Sequence, residues 1–340
     1  MDKKKRLALL ASAALLIVIT SYLWQAGFPS RSAPLEKIAL GSIPARISGP
    51  LYIAEEQGYF KAQGLDVTLV TNASSPESMR DLKDGRIDLA CCGAFNLVQD
   101  VFSGNSDLRC LAVLCNGQIM DLIARRDKGI SRPEDLRGKT IGLPVKTAAQ
   151  YILGRFLTLH LIPLQEVKVV DVKPVDLAEA LATGKADAIL TWEPYIFEVG
   201  KKMGNTVVTW PAQGGQDIFW ILVGRAEYLQ RNPGALEKLM RSLMQAAAFV
   251  KEQPEKARTI ICRRSKFPLA ECDRYPLQYG VFLDLGLLLA LEDEAAWMIK
   301  NRLTDRTEIP NFLDYLEPGP LLRVNPKSVR LVLPGKATPK

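Results

Sequence analysis

Asp84-Gly85-Arg86-Ile87-Asp88-Leu89-Ala90 returns later in the chain as Thr183-Gly184-Lys185-Ala186-Asp187-Ala188-Ile189. In both stretches a glycine and a basic residue precede an aspartate, and a short apolar run follows the aspartate. A repeat of this kind indicates a repeated structural unit, and it takes precedence over local patterns when a fold is assigned. The repeat therefore predicts two similar lobes, and two lobes form a cleft between them.

The segments upstream of the two stretches also correspond in order. Lys37–Gly41 matches Lys139–Leu143, and Asp66–Val70 matches Val167–Val170. Each copy therefore has the order strand, loop, helix, strand, helix, glycine, strand. Strands that alternate with helices predict parallel sheets built from right-handed crossovers, so we expect an α/β fold.

Gly85 and Gly184 occupy equivalent positions, each at the end of a predicted helix. The residue after the last turn of a helix often adopts the left-handed conformation, which glycine reaches without steric cost. We therefore expect both glycines to end a helix and to lead the chain into a buried strand.

The predicted sheets also indicate where a ligand would bind, because ligands of open α/β sheets lie beyond the carboxyl ends of the strands. In this chain those ends are loops rich in Gly, Ser, Thr, Pro and Asn. Several of them open directly into helices, whose first amide groups can hold an anion or a polar group. The loops are Ser42–Ser48, Thr71–Ser75, Gly93–Asn96, Pro144–Ala148 and Thr191–Pro194.

The composition of the 340 residues fits two cores of ordinary domain size, with 48% hydrophobic residues and a formal net charge of +7. The chain has no basic stripe interleaved with aromatic residues, so we expect no nucleic-acid partner. The lone histidine, His160, lies on a predicted apolar helix far from the cleft loops, and we expect it to be structural. No cysteine spacing resembles a zinc site, and we expect neither a metal nor a cofactor.

Residues 1–34 have the pattern of an export signal. Lys3–Arg6 is a positive patch, and Leu7–Trp24 is an uncharged run just long enough for a membrane span. A cleaved signal peptide and an uncleaved membrane anchor over residues 7–24 both fit this pattern, and the sequence leaves the choice open. In either case the positive residues stay in the cytoplasm, so we expect the body to be periplasmic or on the extracytoplasmic face of the membrane.

The six cysteines of an exported chain raise the question of disulfides. Four of them fall in predicted buried strands, where free thiols behave as small hydrophobic side chains: Cys91, Cys92, Cys110 and Cys115. The other two, Cys262 and Cys272, flank a polar loop and are the better candidates for a disulfide. The sequence leaves their oxidation state open.

A set of short motifs occurs in a characteristic order: Gly49–Ala54, Gly58–Phe60, Gly64–Val67, Gly85–Asp88, Asp135–Gly142, Gly184–Ala188 and Trp192–Tyr195. Their order, from about residue 36 to about residue 329, resembles the NMT1/THI5-like solute-binding proteins of ABC importers for nitrate, sulfonates, taurine and thiamine precursors. Each motif is weak by itself. The ordered set is specific for the family and says little about the ligand.

The resemblance implies a two-lobed, type II periplasmic-binding fold in which the chain crosses between the lobes twice. On this basis we expect lobe one to comprise residues 35–121 and 223–331, and lobe two to comprise residues 122–222. Residues 332–340 would form a tail. The repeat independently supports two lobes, whereas the two crossovers are implied by the family alone.

The candidate ligand-binding residues lie in the cleft loops or near a predicted crossover: Arg46, Ser48, Ser74, Ser75, Gly93, Ala94, Thr147, Ala148, Trp192, Glu193 and Asp217. Trp192 and Glu193 belong to a segment that matches the family's Trp-acidic-Pro motif. The indole would stack on a ligand and the carboxylate would accept its hydrogen bonds. The same segment also fits a simple helix start, with the acidic side chain at the positive end of the helix dipole.

The charge of the ligand stays open at this point. The guanidinium of Arg46 would grip a sulfonate or a carboxylate through two parallel hydrogen bonds. Asp121 and Asp217 fall near the presumed crossovers, and an acidic pair beside Glu193 would favour an amine or a pyrimidine. These two expectations conflict, and the sequence does not decide between them.

The function implied by the resemblance is that of a passive receptor, a monomer that captures a small polar nutrient and delivers it to an ABC permease. No nucleophile with a neighbouring base is visible, so we expect no catalytic residue. One alternative is an enzyme on the same fold that handles pyrimidine or menaquinone precursors. Another is an anchored sensor that reports ligand to a signalling partner.

Overall fold

The computed structural model describes residues 34–104 and 107–332. The predicted export segment, including residues 7–24, and the tail after residue 332 lie outside the described residues. Within the described ranges, no helix is both long and apolar enough to cross a lipid bilayer.

The strands are β1 (Glu36–Ser42), β2 (Leu65–Thr71), β3 (Leu89–Gly93), β4 (Leu108–Gly117), β5 (Met120–Arg125), β6 (Thr140–Leu143), β7 (Lys168–Asp171), β8 (Ala188–Trp192), β9 (Val207–Pro211), β10 (Ile218–Arg225), β11 (Leu277–Asp284) and β12 (Val329–Arg330). The α-helices are α1 (Gly49–Glu56), α2 (Tyr59–Ala62), α3 (Ser75–Lys83), α4 (Ala94–Phe102), α5 (Ala148–Leu159), α6 (Leu177–Thr183), α7 (Tyr195–Met203), α8 (Ala226–Arg231), α9 (Pro233–Glu252), α10 (Pro254–Arg264), α11 (Leu285–Lys300) and α12 (Gly319–Val324). Short 3-10 turns cover Arg46–Ser48, Arg126–Lys128, Pro133–Leu136, Leu164–Glu166, Pro174–Asp176, Gly204–Thr206, Leu269–Glu271, Phe312–Tyr315 and Pro326–Ser328.

These strands form two sheets. One sheet has seven strands in the order β12-β11-β4-β10-β3-β1-β2, and the other has five in the order β7-β6-β8-β5-β9. We call the part of the chain around the seven-stranded sheet lobe one and the part around the five-stranded sheet lobe two. The strands of the two repeat copies, β3 and β8, lie in different sheets, so the predicted α/β two-sheet fold is confirmed.

The repeated aspartate has the same structural task in both lobes. In lobe one, the carboxylate of Asp88 accepts a hydrogen bond of 2.8 Å from the backbone N–H of Ala39 in β1. In lobe two, the carboxylate of Asp187 accepts one of 2.9 Å from the N–H of Thr140 in β6. Each aspartate therefore fixes the start of the parallel pairing in its own sheet, which gives the repeat a physical reason.

The two repeated glycines both adopt the left-handed conformation, with φ of 73° at Gly85 and 79° at Gly184. Gly184 is the C-cap of α6, and Gly85 comes directly after Asp84, the C-cap of the corresponding helix α3. The expectation that these glycines end helices before a buried strand is therefore confirmed.

The chain passes between the sheets twice, between Gly117 and Met120 and again between Pro211 and Ile218. The second passage differs from the expected boundary at residue 222, because β10 pairs with β3 and β4 in lobe one. β10 is an antiparallel strand inserted between two strands that come much earlier in the chain. Such a pairing joins distant segments and leaves no local sign in the sequence.

Candidate ligand-binding cleft

A small cavity of about 40 Å³ lies between the lobes, at the carboxyl ends of the parallel strands of both sheets. From lobe one it is lined by Ile43, Ile47, Ser74, Ser75, Gly93, Asn96, Ile218 and Trp220. From the first passage and lobe two it is lined by Ile119, Met120, Thr147, Ala148 and Trp192. Sites for small molecules usually measure about 300–1,000 Å³, so the lobes are closed on each other here.

Three helices begin at this cavity, and each is the next element after a parallel strand. Helix α3 starts at Ser75 and α4 at Ala94 in lobe one, and α5 starts at Ala148 in lobe two. The first amide groups of a helix lack partners within the helix and carry its positive dipole end. The cavity therefore collects hydrogen-bond donors and partial positive charge from both lobes.

Thr147 and Ser74 both precede one of these helices, but only Thr147 caps with its side chain. Its hydroxyl accepts a hydrogen bond of 3.2 Å from the N–H of Ala149 and donates one of 2.7 Å to the carbonyl of Pro144. The side chain of Ser74 makes no capping bond to α3. The hydroxyl of Thr147 therefore caps α5, whereas the hydroxyl of Ser74 does not cap α3.

Two tryptophans bring aromatic faces to the cavity. Trp192, at the end of β8, is 8% exposed and stands edge-on to Tyr195, with ring centroids 6.2 Å apart. Trp220, in β10, is 3% exposed, and its indole nitrogen is buried without a hydrogen-bond partner among the described residues. Sequence reasoning missed Trp220, because only the pairing of β10 beside β3 brings it to the cleft.

Asn96 ends one of the predicted cleft loops but was not among the candidate binding residues, and it joins the two lobes. Its side-chain amide donates a hydrogen bond of 2.9 Å to the carbonyl of Lys146 in lobe two. Lys146 itself has a φ of 60°, which is uncommon for a residue with a side chain. Nearby, a Cβ built on Gly93 would lie 3.9 Å from the Cβ of Ala148. The lobes therefore approach each other closely at the bottom of the cleft.

Arg46 is buried, but it is not among the residues that line the cavity. Its Nη1 donates to the carbonyls of Cys272 at 2.6 Å and Tyr275 at 3.1 Å. The guanidinium also lies over the ring of Phe267, 5.0 Å from its centroid. Nη1 is thus bonded to the protein itself, while the buried Nε has no partner among the described residues, and the two-pronged grip of Arg46 on an anion stays a prediction.

Ser48, Ala94, Glu193 and Asp217 are likewise absent from the lining of the cavity. The hydroxyl of Ser48 donates to the carbonyl of Ile43 at 2.8 Å. The carboxylate of Asp217 accepts from the side-chain amide of Asn116 at 2.6 Å. Ala94 contributes through the start of α4, whereas Ser48 and Asp217 stabilise the loops around the cleft.

Two buried carboxyl groups lie in lobe two, close to the cleft. Glu193 is 6% and Asp121 3% exposed, and each has one carboxyl oxygen without a hydrogen-bond partner among the described residues. The other oxygen of Glu193 accepts from the N–H of Phe197 at 3.3 Å. Burial raises the pKa of Glu193 to about 7 and also raises the pKa of Asp121. The Glu193 carboxyl is therefore partly protonated at neutral pH.

Cys262 and Cys272 form a disulfide, which settles the question that the sequence left open. The four strand cysteines are free and buried, as predicted. Burial raises the pKa of the Cys91 and Cys110 thiols, the latter to about 12. A thiol that holds its proton this firmly is a poor nucleophile and a poor metal ligand, so these groups serve packing.

Two proteins with similar sequences cover most of the chain. YtlA of Bacillus subtilis (strain 168) is 24% identical over 284 residues, which are 78% of this chain and 82% of that protein. The formylaminopyrimidine-binding protein of Halalkalibacterium halodurans is 23% identical over 245 residues, 69% of this chain and 73% of that protein. The similarity therefore spans both lobes.

Solved structures show the same fold at low sequence identity. The alkanesulfonate-binding protein SsuA from Xanthomonas axonopodis pv. citri, bound to MOPS, superposes with a TM-score of 0.69 at 18% identity, over 82% of this chain and 97% of that one. The desulfurization enzyme DSZB superposes with a TM-score of 0.62 at 14% identity, over 86% and 99%. The fold is thus shared by a binding protein and an enzyme, and the fold alone does not give the function.

The family model for NMT1/THI5-like proteins matches residues 47–257, from the first cleft loop through β10 to α10. The match covers more than half of the chain and includes all three helix starts at the cavity. It also includes both tryptophans that line the cavity. The chain belongs to the NMT1/THI5-like family.

Proposed function

We propose that this chain is the solute-binding receptor of an ABC importer and that it captures a small organic anion between its lobes. The observation that carries the proposal is the convergence of three helix starts and two tryptophans, drawn from both lobes, on one cavity. The helix starts would hold an anionic head, such as a sulfonate or a carboxylate. The tryptophans would hold the apolar body.

The donors of the cleft favour an acceptor on the ligand. The indole N–H of Trp220 is a donor only, and leaving it buried and unpaired costs about 1–3 kcal/mol. A ligand oxygen beside it would remove this cost. The lining of the cavity otherwise combines serine, threonine and asparagine with isoleucine and methionine. This mixture suits an organic anion better than nitrate, which has no apolar part.

The size of the cavity implies that the lobes move. About 40 Å³ holds one or two water molecules, so a sulfonate with an organic body enters only when the lobes separate. Closure around a ligand is stable if the ligand contacts both lobes at once. Capture in the cleft followed by delivery of the closed form to a membrane permease fits this geometry, and we place the receptor outside the cytoplasmic membrane.

An aminopyrimidine is the second candidate for the ligand. It is favoured by the buried carboxyl groups of Glu193 and Asp121, each of which has one unpaired oxygen. A small opening of the lobes would let an amino group or a ring N–H donate to them. The name of the relative from Halalkalibacterium halodurans agrees with this candidate.

A thermal-shift screen of the full chain tests the proposal. The panel contains an alkanesulfonate series, taurine, a short dicarboxylate, nitrate and aminopyrimidines. A ligand at a hundred times its Kd stabilises the native state by about 2.7 kcal/mol, which raises the Tm by several degrees. We expect this shift with an organic sulfonate or carboxylate. A shift with aminopyrimidines alone would favour the second candidate, and no shift with any compound would contradict both.

Titration calorimetry of Trp220→Phe with the compound found in the screen tests the role of the indole N–H. We expect affinity to fall about tenfold, the cost of one hydrogen bond to a charged group. The matched control is Trp210→Phe, since Trp210 lies in β9 and packs beside Phe156 rather than in the cavity. Equal affinities for the two variants would remove Trp220 from the site.

A further inference from the structure

The segment that follows α10 belongs to lobe one but reaches lobe two. We call residues 262–276 the disulfide loop, since they run from Cys262 through Cys272 to the start of β11. The hydroxyl of Tyr275 in this loop donates a hydrogen bond to the carboxylate of Asp121 in β5. The guanidinium of Arg274 lies 4.0 Å from the same carboxylate. The loop therefore bonds to a strand of the other lobe.

An apolar contact accompanies these polar ones. Phe267 and the two disulfide-bonded cysteines form a small buried cluster, and Phe197 of α7 in lobe two packs against it. Tyr275 also packs against the core of lobe two. The two half-cystines are 1% and 6% exposed. Phe197 of lobe two therefore covers one side of a disulfide that is itself buried.

The other side of the loop is fixed to lobe one. Arg46 donates to the carbonyls of Cys272 and Tyr275, and Arg258 of α10 donates to the carbonyl of Leu269 at 2.6 Å. Arg46 is the first residue of a 3-10 turn, and the second residue of that turn, Ile47, lines the cavity. The loop is therefore connected to the cleft through Arg46, and to lobe two through Tyr275, Arg274 and the cluster around Phe267.

We propose that the disulfide loop is a clasp that holds the two lobes closed, and that reduction of its disulfide releases them. The proposal rests on the closing motion of the proposed receptor, but no ligand is needed to test it. After its first three residues, which end α10, the loop contains only one short 3-10 turn, Leu269–Glu271. A disulfide across a segment with so little regular structure lowers the conformational entropy of the free loop. Less entropy is then lost when the loop is held in its position against lobe two.

The chemistry of release is that of thiol–disulfide exchange. A dithiol supplies two electrons and two protons, the S–S bond breaks, two cysteine thiols form, and the dithiol becomes its cyclic disulfide. Both half-cystines are buried while the loop is docked on lobe two, so the reductant reaches the bond when this contact opens. The rate of reduction at a fixed dithiol concentration therefore measures how often the clasp opens.

The first experiment compares the rate of reduction in the full-length protein and in Tyr275→Phe, which keeps the ring and the disulfide but loses the bond to Asp121. Alkylation of new thiols and mass spectrometry of the peptides that contain Cys262 and Cys272 give the rate. We expect Tyr275→Phe to be reduced on the order of tenfold faster, the effect of one lost hydrogen bond to a carboxylate. Tyr228→Phe is the matched control, because Tyr228 is a half-buried tyrosine of lobe one that lies in α8, outside the disulfide loop.

The second experiment asks whether loss of the disulfide loosens the contact between the loop and lobe two. Hydrogen exchange of wild-type protein, oxidised and reduced, and of Cys262→Ser/Cys272→Ser is followed in residues 265–276 and in β5. We expect faster exchange in both segments after loss of the bond, and unchanged exchange in β1 and β2. If the double variant does not fold, the reduced wild-type protein decides the comparison. Equal reduction rates for Tyr275→Phe and wild type, together with unchanged exchange in β5, would overturn the clasp, whether or not a ligand has been found.

Discussion

Trp192 presents the aromatic face of lobe two to the cleft, and it is the residue whose loss should affect binding most. Trp192→Ala removes a stacking surface that contributes about 1–3 kcal/mol, by comparison with base–aromatic stacking. We expect the affinity for the solute to fall about tenfold to a hundredfold, as measured by calorimetry. His160→Ala is the control, because His160 stacks on Phe156 at the end of α5 and is not part of the cavity lining. A loss of binding in the control alone would mean that the site lies elsewhere.

The buried carboxyl of Glu193 predicts a pH dependence of stability. Its pKa is about 7 in the folded protein and near 4.5 in the unfolded chain, so the folded state binds more protons between these values. Stability contributed by Glu193 is therefore full below about pH 4.5 and falls as the pH rises towards 7 and above. We compare the unfolding free energy of Glu193→Gln with that of wild type at pH 4 and at pH 8. We expect the difference to shift in favour of the variant by about 2 kcal/mol between the two pH values, a figure reduced to allow for solvent screening of the carboxylate. Urea unfolding at both pH values measures this, and parallel curves would contradict the burial argument.

At the scale of single elements, the hydrogen bond of the repeated aspartate can be tested by the same substitution in each lobe. Asp88→Ala leaves the N–H of Ala39 without its acceptor, and Asp187→Ala does the same to Thr140 in the other lobe. We expect each change to cost about 1–3 kcal/mol of unfolding free energy, measured by urea denaturation. Asp66→Ala in β2, whose carboxylate makes no comparable bond within residues 34–104 and 107–332, should change stability by less than about 0.5 kcal/mol. A large effect in only one lobe would show that the two copies are not equivalent.

At the scale of the whole molecule, the side chain of Gln213 joins the two passages between the lobes. The amide oxygen of Gln213, which is 1% exposed, accepts from the N–H groups of Ile119 at 2.5 Å and Met120 at 2.9 Å. Its amide nitrogen donates to the carbonyls of Gly117 at 3.2 Å and Gln216 at 2.7 Å. Gln213 therefore couples the two hinge segments.

Loss of this coupling should make the hinge easier to open. Gln213→Ala leaves two buried N–H groups unpaired, and we expect a loss of about 2–4 kcal/mol in unfolding free energy together with faster hydrogen exchange in both passages. Gln216→Ala is the matched control, since Gln216 bonds to Gln213 only through its backbone N–H and carbonyl. Exchange that stays slow in the Gln213 variant would show that the strands on either side, rather than the side chain, hold the hinge.

The predicted α/β lobes and the family were correct because they depend on local order. The repeated glycine and aspartate, the alternation of strands with helices, and the helix starts after strand ends all act within a few residues of each other along the chain. Ser75, Gly93, Thr147, Ala148 and Trp192 line the cavity because strand ends of parallel sheets meet at one edge. Sequence alone is sufficient for such features.

Three features were decided only by the tertiary structure. Trp220 lies at the cavity because its strand is inserted, antiparallel, between two strands that come earlier in the chain. Arg46 donates its hydrogen bonds to carbonyl groups more than two hundred residues away along the chain. The burial of Glu193 follows from how the lobes pack, and it determines the protonation of the carboxyl. Local sequence determines which segments form strands, helices and their ends, because those interactions join near neighbours. The partners of a side chain across a cleft are set by packing between distant segments, which no single stretch of sequence encodes.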